Sequence, residues 1–212
     1  MAKPSRAAFT ALMQMIAWMY KQRNRGIKFT AGINNIPMYL VDASNKPDPA
    51  DGKCQYGYVC MWLGGPLLEH SKKLRHIGLS SQHNEYMAMH FANQNIVWLR
   101  QLLEEMGLVD LIRQPTILWA DNKPANILSK EDIVGSGNQY IYQPYHFNKE
   151  VQEEGFSRVE YIKSTKNLSD IMTKAVSAQT IKDLMPALTG YDHTIIQELV
   201  EAGAKLPHIQ GD

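Results

Sequence analysis

Hydrophobic and polar positions follow two periods along this chain, and the switches between them mark its elements. From Arg6 to Arg25, Phe9, Leu12, Met13, Ile16, Ala17 and Tyr20 recur at helical spacing, and a basic run from Lys21 to Arg25 ends the segment with Gly26 placed beyond a C-cap. From Pro37 the pattern changes: Met38-Tyr39-Leu40-Val41 is a short apolar run that stops at Asp42. A stretch dense in turn residues, Asn45 to Gly52, leads to a second strand, Gln55 to Leu63. Gly64-Gly65-Pro66 then turns the chain into a third strand over Leu67–Ser71, giving an antiparallel meander.

The longest helix is expected over Gln82–Met106 behind a Ser81 N-cap, with Met89, Ala92, Ile96, Leu99 and Leu103 forming its apolar stripe. Thr116–Ala120 reads as a fourth strand ending at Asp121, and Pro124 suits the first turn of a short helix through Leu128. A helix over Tyr145–Glu154 closed by Gly155, a fifth strand over Arg158–Ile162, and a last core helix opening near Asn167 follow. One more amphipathic stretch, Ile195–Ala202, lies in the tail. No internal repeat or low-complexity segment interrupts this order.

At 212 residues, 44% hydrophobic and 20% charged, the chain can bury one sizeable core, so a folded domain rather than disorder is expected. No apolar run approaches the roughly 20 residues of a membrane span, and no secretory cleavage pattern is present. No membrane partner is therefore expected, and the chain reads as cytosolic or nuclear. Cys54 and Cys60, set on one strand, would stand roughly 20 Å apart and read as two reduced thiols. A net charge of +1 argues against a dedicated high-affinity nucleic-acid binder. Basic clusters at Lys72, Lys73 and Arg75, and at Lys163, Lys166 and Lys174, read as solvated surface unless they stand beside the acids.

Four carboxylates, Asp42, Glu85, Asp121 and Asp170, sit at element edges. Asp42 and Asp121 end apolar strands, Glu85 heads the core-facing stripe of the long helix, and Asp170 falls in the first turn of a helix, where the dipole favours negative charge. A strand-end Asp taken alone is more often a turn-former than a ligand. Together, however, hard oxygen donors of this kind select Mg²⁺ or Mn²⁺ over zinc.

With these residues in order, the sequence resembles the ribonuclease H domain that follows reverse transcriptase in copia-type retrotransposon polyproteins. The matching segments are Tyr39–Ala43, Gly57–Val59, Leu63–Pro66, Ser71–Lys73, Leu79–Ser81 leading to Glu85–Ala88, Trp98–Leu103, Ala120–Asn122, Tyr145–Phe147 and Leu168–Lys174. The resemblance implies an α/β ribonuclease H-like fold: a five-stranded mixed sheet, three antiparallel strands then two parallel additions, flanked by helices. It also implies a connector helix over residues 1–32, a ribonuclease H-like domain over 36–176 and a C-terminal helical tail over 177–212. The implied activity is metal-dependent cleavage of the RNA strand of RNA–DNA hybrids during reverse transcription. Asp42, Glu85, Asp121 and Asp170 would hold two Mg²⁺ ions, with Mn²⁺ as substitute. Ser44, Asn122, Lys72, Lys73 and Lys166 are the candidate substrate contacts. Implied partners are the hybrid and the reverse transcriptase of the same polyprotein, and the implied setting is a cytoplasmic virus-like particle or the nucleus.

The sequence departs from the family at three places. Ser44 stands where a second Asp is usual, Tyr140-Ile141-Tyr142 replaces a His-Ile-Asp run, and Lys163-Ser164-Thr165-Lys166 stands where cellular ribonucleases H carry a histidine. His83 and His146 read as a surface and a packing histidine rather than catalytic groups, and Trp62, Trp98 and Trp119 as core. Asn122 is read equally as a helix cap or a substrate contact. A catalytically inactive or domesticated module with a structural or nucleic-acid-docking role is the alternative. An integrase-type enzyme is disfavoured because its acids usually run Asp, Asp, Glu.

Overall fold

A computed structural model describes residues 5–75, 77–78, 80–130 and 142–207. Helix α1 (Arg6–Gln22) opens the chain, followed by strands β1 (Met38–Ala43), β2 (Gln55–Trp62) and β3 (Gly65–Lys73). Then come helix α2 (Ser81–Glu105), strand β4 (Thr116–Ala120), helices α3 (Lys123–Leu128) and α4 (Tyr142–Glu153), and strand β5 (Ser157–Tyr161). Helices α5 (Asp170–Thr173), α6 (Ala178–Leu188) and α7 (Thr194–Ala204) close the order. Among the described residues, no helix is long and apolar enough to cross a membrane.

The five strands form one sheet in the order β3-β2-β1-β4-β5. β1 pairs antiparallel with β2, and β2 with β3, whereas β1 pairs parallel with β4, and β4 with β5. This is the mixed sheet that the resemblance implies. The meander joins β2 to β3 through Leu63 (φ +51°) and Gly64 (φ +74°), a left-handed pair that suits the twist of a tight hairpin.

β1 is central, and all six of its residues are buried. Its alternate side chains feed two cores, one on each face of the sheet. Tyr39, Val41 and Ala43 meet the α2 stripe of Met89, Ala92, Ile96, Leu99 and Leu103. Met38 and Leu40 face the other way, onto Leu168, Leu184, Leu188, Ile196 and Leu199. The second face is thus covered by α5, α6 and α7. Helix α6 carries no clear sequence signal because Pro186 lies inside it.

Several expected boundaries move. β1 runs through Asp42 to Ala43, because the antiparallel ladder continues to Asp42↔Gly57 and Ala43↔Tyr56. The N-cap of α2 is Ser80, whose hydroxyl accepts from the His83 amide, so Ser81 is the first helical residue. Helix α1 ends at Gln22 with Arg23 as its cap, which leaves Gly26 outside the capping motif. Both cysteines are free and buried, and burial pushes the Cys60 thiol up to about 12. Of the tryptophans, only Trp119 is fully core; Trp62 is half-buried with its indole N–H on the Asn35 carbonyl, and Trp98 is 49% exposed on α2.

Candidate metal centre

Sheet register brings the first two acids together. The parallel ladder between β1 and β4 ends at Val41↔Ala120, so Asp42 and Asp121 are the next residues on adjacent strands. Neighbouring strands run about 4.8 Å apart, and residues one step beyond a buried pair point to the same face. Glu85 arrives from the first turns of α2 and is fixed across the end of β1 by the Ala43 amide, which donates to its Oε2 at 3.1 Å. One carboxylate oxygen from each of Asp42, Glu85 and Asp121 lies within 4.8 Å of the others.

Asp42 and Glu85 are buried and Asp121 is half-buried. Desolvation, and then the charges of Asp42 and Asp121, push the Glu85 carboxyl well above the usual carboxylate range. Burial also raises Asp42, against the pull of the Lys174 ammonium and the Thr173 hydroxyl. When all three are ionised, these acids carry more negative charge than Lys174 alone balances, and a hard divalent cation bound by oxygen would neutralise it. The donor set fits such an ion.

Asp170 joins through an intermediary. Lys174 Nζ donates to Asp42 Oδ1 at 2.9 Å and to Asp170 Oδ1 at 3.0 Å, so the fourth acid meets the first across an ammonium. Burial works against the Lys174 charge, but the two carboxylates outweigh it and hold its pKa above the usual lysine value. The Thr173 hydroxyl donates to Asp42 Oδ2. Helix α5 is anchored to β1 by Asn167, whose amide donates to the Val41 carbonyl at 2.9 Å while its Oδ1 accepts from Ser169. Lys174 and Thr173 were legible as residues of the Leu168–Lys174 match, but nothing in the spacing revealed that they would close on Asp42.

Gly57 makes this approach possible. It faces Asp42 across the ladder, and a Cβ there would lie 2.5 Å from Met172 Cβ and 3.2 Å from Thr173 Cγ2.

The other candidates are dispersed. Asn122 caps α3 through Oδ1, accepting from the Ala125 amide, and its Nδ2 reaches Ser81 Oγ at 3.4 Å. Ser44 Oγ turns to the Lys46 backbone. Lys73 pairs with Asp48 and Asp51, and Lys166 with Glu198, whereas Lys72 is exposed on β3. His83 is half-buried in the first turn of α2; His146 is exposed on α4, its ring edge-on to Tyr145, rather than packed in the core. Tyr140 and Ile141 lie outside the described residues, as does Leu79. A largely apolar cavity of about 390 Å³ opens beside Met38, Ile117 and Arg158, at the opposite end of the strands, and none of the four acids lines it.

No protein-family model matches the chain. The retrovirus-related Pol polyprotein from transposon TNT 1-94 of Nicotiana tabacum is 27% identical over 145 residues, 68% of this chain and 11% of that protein. That from transposon RE1 of Arabidopsis thaliana is 26% identical over 178 residues, 84% of this chain and 12% of that protein. The chain therefore spans about one-ninth of the length of these relatives. Secreted RxLR effector protein 161 of Plasmopara viticola is 33% identical over 97 residues, covering 45% of this chain and 68% of that protein. Among solved structures, a ribonuclease H1 isolated from compost by a metagenomic approach superposes with a TM-score of 0.50 at 16% identity, covering 71% of this chain and 99% of that one. Its likeness is one of fold. The motifs, the mixed sheet and these relatives agree: the chain has a ribonuclease H-like fold and is similar to a segment of the retrovirus-related Pol polyproteins of plant transposons.

Proposed function

We propose that this chain is a divalent-cation-dependent endonuclease of a copia-type element, hydrolysing the RNA strand of RNA–DNA hybrids made during reverse transcription. The convergence of Asp42, Glu85 and Asp121 within 4.8 Å carries the reading. Mg²⁺ is the natural ion for an all-oxygen donor set, with Mn²⁺ as substitute. Asp42, Glu85 and Asp121, with Asp170 beside them, would hold two such ions, whose chemistry would be Lewis-acid activation of water and charge stabilisation of the leaving oxygen. Asp42 and Asp121 orient the donors from the rigid sheet, and Glu85 is locked in place by the Ala43 amide. Asp170 stands as the fourth acid on the side closed by Lys174.

In this reading the 36–176 segment is the catalytic domain and the tail from 177 supplies its second-face cover. The 1–32 segment links it to the reverse transcriptase of the same polyprotein, in a virus-like particle or the nucleus. Ser44 and Asn122 would meet the substrate beside the acids, and Lys72, Lys73 and Lys166 its phosphates, with Lys73 and Lys166 leaving their carboxylate partners on binding. Phosphate contacts of this kind make binding salt-sensitive.

The test is cleavage of end-labelled hybrid by purified full chain in Mg²⁺. Cleavage of the RNA strand is expected, and Asp121→Asn should lower it by at least about a hundredfold, the scale on which preorganised charge acts. Equal activity in the variant refutes the metal site. The second reading, a module that docks nucleic acid without turnover, draws on the match to a protein not named as a Pol polyprotein. Hybrid binding with no cleavage in either ion would establish it.

A further inference from the structure

The side chain between the first and fourth acids has no assigned task, and its geometry points to one. We infer that Lys174 is the resident counter-ion of the second cation position: in the substrate-free protein its ammonium occupies the space between Asp42 and Asp170, so that only one divalent ion binds tightly. This rests on the metal-centre reading above and adds to it the order in which the centre fills.

Three observations support it. Lys174 Nζ is within 3.0 Å of one oxygen of each acid, the place from which a cation would bridge them. Asp42 is wholly buried, with Oδ1 accepting from Lys174 and Oδ2 from Thr173, and the ammonium stands on the Asp170 side, where a further cation would meet it. The side chain is held at its base: Lys174 caps α5, its amide donating to the Asp170 carbonyl, while α5 is seated on β1 through Asn167.

Charge balance gives the same answer. Four ionised acids match two divalent cations. With the ammonium in place, one divalent cation leaves a single negative charge, and a second makes the cluster positive in a partly buried site, which is unfavourable. A phosphodiester brings the missing negative charge. The second ion therefore enters with substrate, and the displaced Lys174 is left beside an incoming phosphate.

The experiment is Mn²⁺ titration of the full chain without nucleic acid, followed by calorimetry and by loss of the free-ion paramagnetic signal. Wild type is expected to bind one tight ion. Lys174→Met should bind two, the second at least about tenfold tighter than any second ion in wild type, since the repulsion removed is that of charges a few ångströms apart. Lys174→Arg should behave as wild type. An unchanged stoichiometry and affinity in Lys174→Met overturns the inference. Asp121→Asn separates the two readings: loss of the tight ion there, with no effect of Lys174→Met, defeats only the role of Lys174. Tight binding retained in Asp121→Asn defeats the metal centre itself, and the inference with it. If Lys174→Met does not fold, the Lys174 Nζ resonance of wild type answers instead. The ammonium protons should stay protected from solvent exchange through the first equivalent of Mg²⁺ and lose that protection when a cleavage-resistant hybrid is added; protection lost at the first equivalent overturns the inference.

Discussion

Glu85 shows what one buried acid does to the whole chain. Its folded-state carboxyl holds its proton to a higher pH than it does in the unfolded chain, where it titrates near about 4.3. The native state therefore binds the extra proton, and stability falls as pH rises from the unfolded value through the folded one. In EDTA the melting temperature should decline from pH 5 towards pH 9, and Mg²⁺ should reverse the decline by replacing the proton. Glu85→Gln should flatten the profile and stabilise the metal-free protein at pH 8 by at least about 1.4 kcal/mol, one pKa step. A variant no more stable than wild type would show that burial is not the cause. The acid was legible in the sequence because it stands on an apolar stripe; the Ala43 amide that locks it was not, since that contact joins residues 42 positions apart.

At the scale of elements, the site is a junction of two strand ends with one helix from each face of the sheet. The central strands could be read as short apolar runs bounded by turn residues because both their faces are buried, and most of the helices from the period of an apolar stripe. What could not be read was α6, hidden by Pro186, and the true end of β1. A strand's last residue is set by its partner, and only the antiparallel ladder with β2 carries β1 past Asp42. Gly57 is the element-scale test. Gly57→Ala places a methyl where Met172 and Thr173 pack, so α5 must back away from β2. Overpacking of this kind costs about 1–3 kcal/mol. The shift also draws Asp170, Thr173 and Lys174 off Asp42, so hybrid cleavage should fall by more than stability does, with circular dichroism at 25 °C unchanged. Wild-type cleavage in a correctly folded Gly57→Ala would detach α5 from the chemistry.

Across the whole molecule, the two ends of the chain contribute unequally. Helix α1 buries none of its residues, and Phe9, Met15, Trp18 and Tyr20 are all about half exposed or more. Its apolar pattern announces a helix and says nothing of what covers it, since periodicity reports a face and not a partner. The C-terminal helices are the reverse: Leu184, Leu188, Ile196 and Leu199 complete the second core. Deleting residues 1–25 should shift the melting temperature by no more than a few degrees, whereas ending the chain at 176 should abolish cooperative unfolding, as expected when a core loses one wall. Scanning calorimetry of both truncations decides, and a cooperative transition in the shorter chain would make the tail an appendage.

The contact between Lys174 and Asp42 joins positions 132 residues apart, and that distance has a meaning during synthesis. At ribosomal elongation rates the interval amounts to roughly ten seconds. In a nascent chain Asp42 emerges long before the lysine that contacts it, and before the helices that cover the second face of the sheet. A chain interrupted before Lys174 would keep the three clustered acids but lack the ammonium that ties Asp42 to Asp170.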